Sequence, residues 1–269
     1  MTTETITVTG AGDPRPLRLR PVVAVVERYL TLYRRLWQAS VFSSFILPIL
    51  FLISIGIGVG GYVGSIEGVD YLSWIVPGVL VSTAFQICVG ESTYPVLGDF
   101  KWVRAYHAMR AAPVQPKDIV HGHLLYMIFR VQLSIVAFLL VVVFFGGLHS
   151  PWALATLPIC ALLTAAVVTP VTAFAATIES DSYFALLFRF VVIPATLFSG
   201  VFFPVEQLPV AIRPVAYASP VWHAVELSRA ATLGRAPSWP IVVHIGYLLL
   251  WAVIGLLAAR RAFARRLED

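Results

Sequence analysis

Apolar residues along the chain gather into six runs, at 40–61, 72–97, 120–146, 152–177, 182–203 and 239–260. A helix rises 1.5 Å per residue, so about 20 residues cross the roughly 30 Å of hydrocarbon in a bilayer. The pattern predicts an all-α integral membrane protein with six transmembrane helices. The connections are short except for 98–119 and 204–238, which must carry most of what is not membrane. The expected organisation is a polar tail over 1–20, an amphipathic helix over 21–38, a transmembrane domain over 39–260 and a C-terminal tail over 261–269.

Before the first run, Val22, Val26, Tyr29, Leu30, Tyr33, Leu36 and Trp37 recur at spacings of three and four, with Glu27, Arg28, Arg34 and Arg35 on the opposite face. This predicts a helix lying in the membrane interface, its arginines toward headgroups and water. The tail before it is polar, contains Pro14 and Pro16 and has no apolar core, which argues against a cleaved secretory signal.

Composition sharpens the class. Of the residues, 59% are hydrophobic and only 12% charged, and the mean hydropathy is +0.85, which excludes an ordinary soluble domain. The net charge of +5 comes from arginines flanking apolar runs, so it orients the chain in a membrane and does not point to nucleic acid. With the N-terminus in the cytoplasm, fourteen Lys and Arg residues fall inside and only Arg213, Arg229 and Arg235 outside. The positive-inside rule then places both termini in the cytoplasm. Cys88 and Cys160 sit within apolar runs and read as packing residues.

Several motifs fail on context. Gly56, Gly58 and Gly61 satisfy G-x-G-x-x-G, but they close an apolar run where a dinucleotide site needs a strand leading into a helix. Gly56 and Gly60 form G-x-x-x-G, a close-packing motif. Neither Lys101 nor Lys117 belongs to a P-loop, so ATP and its magnesium, if used, belong to another subunit. His121 and His123 lack further ligands at metal spacing and read as a polar start to the third run. No G-x-S-x-G or H-E-x-x-H is present.

Charges inside a membrane mark function or pairing. Glu91, Arg130 and Arg189 lie at similar depth in the second, third and fifth runs, and the expectation is that Glu91 pairs with one of the arginines. In the first long connection, Trp102, Tyr106 and Met109 recur at helical spacing, predicting one short helix over 101–111 with an apolar stripe open to the cytoplasm. Lys101, Arg104 and Arg110 flank it, and the element suits a handle for a partner protein. Gln115, Pro116 and Asp118 suit the start of the next helix.

In the second long connection, Ser219 and Pro220 read as an N-cap and first turn, and Gly234 as a stop. The helix between them is too short to span. Together with a segment from Pro204 to Tyr217, marked by Glu206 and Pro209, it predicts two short helices lying on or re-entering the outer leaflet. Val221, Trp222, Val225 and Leu233 would pack while His223, Glu226 and Arg229 face water, forming a lid over a central path.

The stretches ESTYPVLGDF at 91–100, HAMRAAPVQPKDIVHGHLLY at 107–126, SYFALLFRFVVIPATLFSGVFFPVEQLP at 182–209 and SPVWHAVELSRAATLG at 219–234 resemble the type-2 ABC transporter permeases. The likeness is to the branch that exports nodulation factors and drugs, with a departure at His123, where an acidic residue is frequent. The resemblance implies a six-span half-transporter that pairs with a second permease copy, as homodimer or heterodimer, with spans one, two and five facing each other. It also implies two separate ATP-binding subunits, contacted by the interfacial helix and the 101–112 helix. The expected cargo is amphipathic: a lipid-linked saccharide, a glycolipid or a hydrophobic drug. A membrane-embedded transferase built on Glu179, Asp181 and the two histidines, and a scaffold that transports nothing, are the competing expectations.

Overall fold

The computed structural model describes residues 20–35, 38, 46, 49–66, 68–144 and 150–268. The polar tail before Arg20, Leu36 and Trp37 of the amphipathic stripe, and the expected start of the first run at 40–45 lie outside the described residues.

The chain is built of helices. The first, α1 (Arg20–Arg35), is followed by a wide helical segment, Leu52–Val59, that continues through Gly60–Val63. A hairpin of β1 (Ser65–Ile66) and β2 (Val69–Asp70), antiparallel with Ser65 opposite Asp70, turns the chain through Gly68 at φ 74°. Asp70 then caps α2 (Tyr71–Ser92) by accepting from the Leu72 N–H at 3.1 Å. Thr93 breaks the helix, its hydroxyl donating back to the Val89 and Gly90 carbonyls, and α3 (Tyr94–Lys101) restarts with Pro95 in its first turn. Next come α4 (Ala105–Arg110), α5 (Pro116–Phe144), α6 (Thr156–Thr177) and α7 (Ser182–Phe198, widened over Phe188–Val192). After α7 follow α8 (Arg213–Tyr217), α9 (Pro220–Leu233) and α10 (Ile241–Glu268).

Among the described residues, four helical stretches are long and apolar enough to cross a membrane: Tyr71–Lys101, Pro116–Val143, Pro151–Thr177 and Ile241–Glu268. The fifth expected span is shorter, ending at Phe198 because the Ser199–Gly200 turn, with Gly200 at φ 73°, breaks it before residue 203. The last helix is longer than its apolar run. It continues to Glu268 where a tail was expected from 261, because Ala262 and Phe263 remain buried below the apolar part.

Polarity is arranged for a non-aqueous solvent. Leu125, Phe129, Leu133, Val136, Leu140 and Val143 form an exposed helical stripe on α5, and Phe190, Val191 and Ile193 on α7 and Val242 and Leu250 on α10 are likewise exposed. Contiguous apolar surface of this kind is untenable in water and normal against lipid or a partner. Hydroxyls within the spans bond their own backbone: Thr83 to Val79, Thr164 to Cys160 and Thr169 to Ala165, all within 2.9 Å. Cys88 and Cys160 are free and buried, consistent with packing roles.

The most extensive helix pairing is α6 with α10. It depends on Gly255, where an added Cβ would strike Thr169 Oγ1 and sit 2.7 Å from the Pro170 nitrogen. Thr169 also donates across to the Ala252 carbonyl at 3.3 Å. A second close approach is at Gly122, where a Cβ would fall 2.6 Å from Val25 Cβ. This lets α1 lie along α5: Val25 meets Gly122, Tyr29 meets His123 and Tyr126, and Tyr33 meets Arg130. The order rises on both chains, so the two helices run in the same direction. The stripe that α1 buries centres on Val25 and Tyr29.

Candidate functional site

At one end of the bundle, α1, the α3–α4 turn and the end of α10 converge. Arg28 grips Asp99 of α3 through two bonds, Nη1 to Oδ2 at 2.7 Å and Nη2 to Oδ1 at 2.6 Å. The planar fork of a guanidinium matches both carboxylate oxygens, and burial of Asp99 to 8% exposure removes competing water. One residue on, the Tyr29 and Tyr106 hydroxyls bond each other at 2.8 Å. Tyr106 in turn packs with Phe100 and Phe263, ring centres 4.7 Å and 5.3 Å away. Arg266 lies over Phe100 and donates to the carbonyls of Ala175, Ala176 and Ile178, closing the C-terminal end of α6. Lys101 Nζ donates to the Glu179 carbonyl at 2.7 Å, tying α3 to the turn after α6.

These contacts correct three expectations. The helix expected over 101–111 is broken: the Gly98 carbonyl accepts from both Trp102 and Val103, and Arg104 takes a left-handed φ of 54° before α4 begins. Trp102 is therefore exposed while Tyr106 is fully buried, so the two do not share one open stripe. Arg104 and Arg110 are exposed and Met109 is partly buried against the core. Arg28, assigned to water from the sequence, is instead held by Asp99.

Burial raises the Tyr29 hydroxyl above its ordinary value, helped by the nearby Asp99 charge, and raises Tyr106 well above it for the same first reason. The sign follows from proton counts. Above about pH 10 the unfolded chain loses these protons while the folded chain keeps them, so stability is full below that value and falls as pH rises toward the folded values. Tyrosinate absorbance is expected to show delayed ionisation in the wild type, with Tyr106→Phe removing part of the delayed phase. Ionisation of every tyrosine near pH 10 in the folded protein would contradict the buried pair.

The intramembrane charges do not form the expected pair. Arg189 is exposed, within the widened part of α7. Arg130 is buried under the Tyr33 ring, 5.1 Å from its centre. Glu91 is partly buried and lines the same cavity as Arg130. Among the described residues the ion pairs are Arg28–Asp99 and Glu226–Arg229, so Glu91 joins neither arginine.

At the opposite end, α7 stops at the Ser199–Gly200 turn, where Ser199 donates to Ser219 at 2.9 Å. The Val201 backbone then passes so near Gly78 of α2 that a Cβ there would lie 2.6 Å from the Val201 carbonyl oxygen. Pro204 is buried, Glu206 and Pro209 are exposed, and Arg213 donates to the Glu206 and Leu208 carbonyls. Ser219 caps α9, accepting from the Val221 N–H, and Gly234 ends it at φ 66°.

His223 is buried and Glu226 and Arg229 are partly buried, each with a protein partner, which corrects their assignment to water. His223 is 1% exposed. Its Nε2 donates to the Tyr217 carbonyl at 3.0 Å, which leaves Nδ1 to accept from His244 Nδ1 at 2.9 Å. Burial, then the neighbouring His244, lowers His223 to about 4, so the ring is neutral. Arg229 stacks on Trp74 of α2 at 3.9 Å, donates to the Gly200 carbonyl at 2.7 Å and pairs with Glu226 at 3.3 Å. Glu226 also accepts from Ser238. The segment after α7 is thus pinned to α2 and α9 by one arginine.

Of the residues expected for transfer chemistry, Glu179 and Asp181 are exposed on the turn after α6, far in sequence from the half-buried His121 and buried His123 of α5. His121 accepts from Arg260, and His123 packs on Tyr29 with Ser92 at 3.5 Å. No group of three His, Cys, Asp or Glu side chains is placed to hold a metal among the described residues. The pairs at Arg28, Tyr106, Arg266 and Arg229 were not foreseen. Apart from Glu226 with Arg229, three residues apart, they join residues far apart in sequence, which local spacing does not reveal.

Apolar outer faces, helices long enough to span, and an end knitted from α1, α3, α4 and α10 define a multi-pass membrane protein. The sequence profile of the ABC-2 type transporter family matches residues 20–233, and the chain belongs to that family. It is 28% identical to Nodulation protein J of Rhizobium leguminosarum bv. viciae over 245 residues, covering 91% of this chain and 94% of that one. The Rhizobium meliloti strain 1021 protein of the same name is 28% identical over 247 residues, covering 91% and 93%. Inner membrane transport permease YadH of Escherichia coli K12 is 26% identical over 224 residues, covering 82% and 86%.

Proposed function

We propose that this chain is the membrane subunit of an ATP-driven exporter, crossing the cytoplasmic membrane six times with both termini inside. The observation that carries the reading is the Arg28–Asp99 and Tyr29–Tyr106 latch. It makes α1 and the α3–α4 turn a single body at the end richest in Lys and Arg, leaving Trp102, Arg104 and Arg110 exposed. An ATP-binding subunit, which holds the ATP and magnesium, docks there and moves that body on nucleotide binding. A second permease copy frames the path, and the anchored segment after α7 lies over its outer mouth. The cargo is an amphipathic molecule, with lipid-linked saccharide, glycolipid and hydrophobic drug as the classes to test. The family match and the name of the E. coli relative support a transport role in the inner membrane.

The test is mild-detergent purification of the tagged chain from its own host, with partners identified by mass spectrometry and the eluate assayed for ATP hydrolysis. A P-loop subunit is expected, and Trp102→Ala with Arg104→Ala is expected to lose it while the chain stays folded. A folded chain that recovers no ATPase would overturn the reading.

A further inference from the structure

A cavity of about 500 Å³ opens between α1, the α2–α3 junction and α5, within the size range of small-ligand sites. Much of its wall is aromatic, including Tyr33, Tyr94, Trp102 and Tyr126. Arg130 also lines it, 6% exposed, with Nε and Nη1 making no hydrogen bond. A buried guanidinium with unused donors is costly, so a native chain keeps one where something else completes it.

Glu91 lines the same cavity, and Tyr126 is within electrostatic reach of both charges. The other carboxylate at the wall, Asp99, is held by Arg28. Among the described residues, a guanidinium with two idle donors and a carboxylate in no ion pair therefore share a largely aromatic chamber. A free phosphate suits this poorly, because the aromatic wall offers it nothing and Glu91 repels it. Tyr33 of α1 covers the guanidinium, Leu32 adds apolar wall, and Leu125 and Phe129 of α5, beside Tyr126 and Arg130, are exposed apolar residues suited to acyl chains.

We propose that the cavity binds the headgroup of a zwitterionic glycerophospholipid from the surrounding leaflet, its phosphate on Arg130 and its ammonium toward Glu91. The guanidinium fork supplies the phosphate contact, and the aromatic wall covers the glycerol and the first methylenes. This site goes beyond the transport reading and needs no ATP-binding subunit, so the two can fail separately.

The experiment is native mass spectrometry of the purified full chain in detergent, given dioleoyl phosphatidylethanolamine, dioleoyl phosphatidylglycerol, dioleoylglycerol or inorganic phosphate. The wild type is expected to retain one phosphatidylethanolamine in preference to phosphatidylglycerol by about tenfold, or about 1.4 kcal/mol. Arg130→Gln is expected to lose the retained lipid. Glu91→Gln is expected to keep a lipid and lose the preference, which preserves the test if the arginine variant does not fold. Equal retention of the two phospholipids by the wild type, retention by folded Arg130→Gln, or displacement by inorganic phosphate would each overturn the assignment.

Discussion

Asp99→Ala is expected to detach α1 from the bundle and lower stability by about 3 kcal/mol, the lower end for breaking a buried ion pair. The value sits there because the Arg28 side chain keeps 24% of its exposure and can recover some hydration. What is lost is two short charge-assisted bonds, and what remains is a half-buried guanidinium with no carboxylate. Arg28→Ala is expected to cost a similar amount and the double variant less than the sum, since both changes remove one interaction. Thermal unfolding in detergent measures this, and ATP hydrolysis by the assembled complex measures its functional share. Strictly additive losses would show that the two side chains do not stabilise each other. A melting temperature untouched by Asp99→Ala would remove the latch from the account altogether.

Arg229→Ala is expected to cost about 3 to 4 kcal/mol, because one side chain holds three different neighbours. Its removal uncovers the Trp74 ring, leaves the Gly200 carbonyl without its donor and strips Glu226 of its cation. Lysine restores charge near Glu226 but cannot also stack flat on the indole and reach the Gly200 carbonyl, so Arg229→Lys is expected to recover only part of the loss. Tryptophan emission should shift on substitution, since Trp74 is 1% exposed in the wild type. If lysine restored full stability and the native emission, the planar contact would be irrelevant and only the charge would matter.

The elements were more legible than their contacts. Apolar run length and local signals such as Ser219, Pro220 and Gly234 mark helices because each acts within a turn of its own position. Spacing on α1 identified Tyr29 and Tyr33 as inward residues, but Arg28 next to them read as solvated, since nothing local announces a carboxylate 71 residues away. The 101–111 stripe misled for a related reason. Periodicity assumes one continuous helix, and the left-handed Arg104 splits the pattern so that Tyr106 turns inward. His223, Glu226 and Arg229 misled because polarity on a short helix suggests water, whereas His223 is met by His244 of α10, Arg229 by the Gly200 carbonyl, and Glu226 by Arg229 and Ser238. Glu91 and Arg130 line one cavity without forming an ion pair, since like positions within two apolar runs do not fix how two side chains meet.

The aromatic cluster of Phe100, Tyr106 and Phe263 has a consequence for how the chain is made. Synthesis delivers α1 first, with Arg28 and Tyr29 ready, then Asp99 and Tyr106. Phe263 and Arg266, which close the cluster and seal the end of α6, follow about 160 residues after Tyr106 and are made after all of these. The cluster is therefore closed only once α10 has been made. A chain broken off before α10 can insert its earlier helices and still leave Phe100 and Tyr106 without the Phe263 ring and the end of α6 without Arg266.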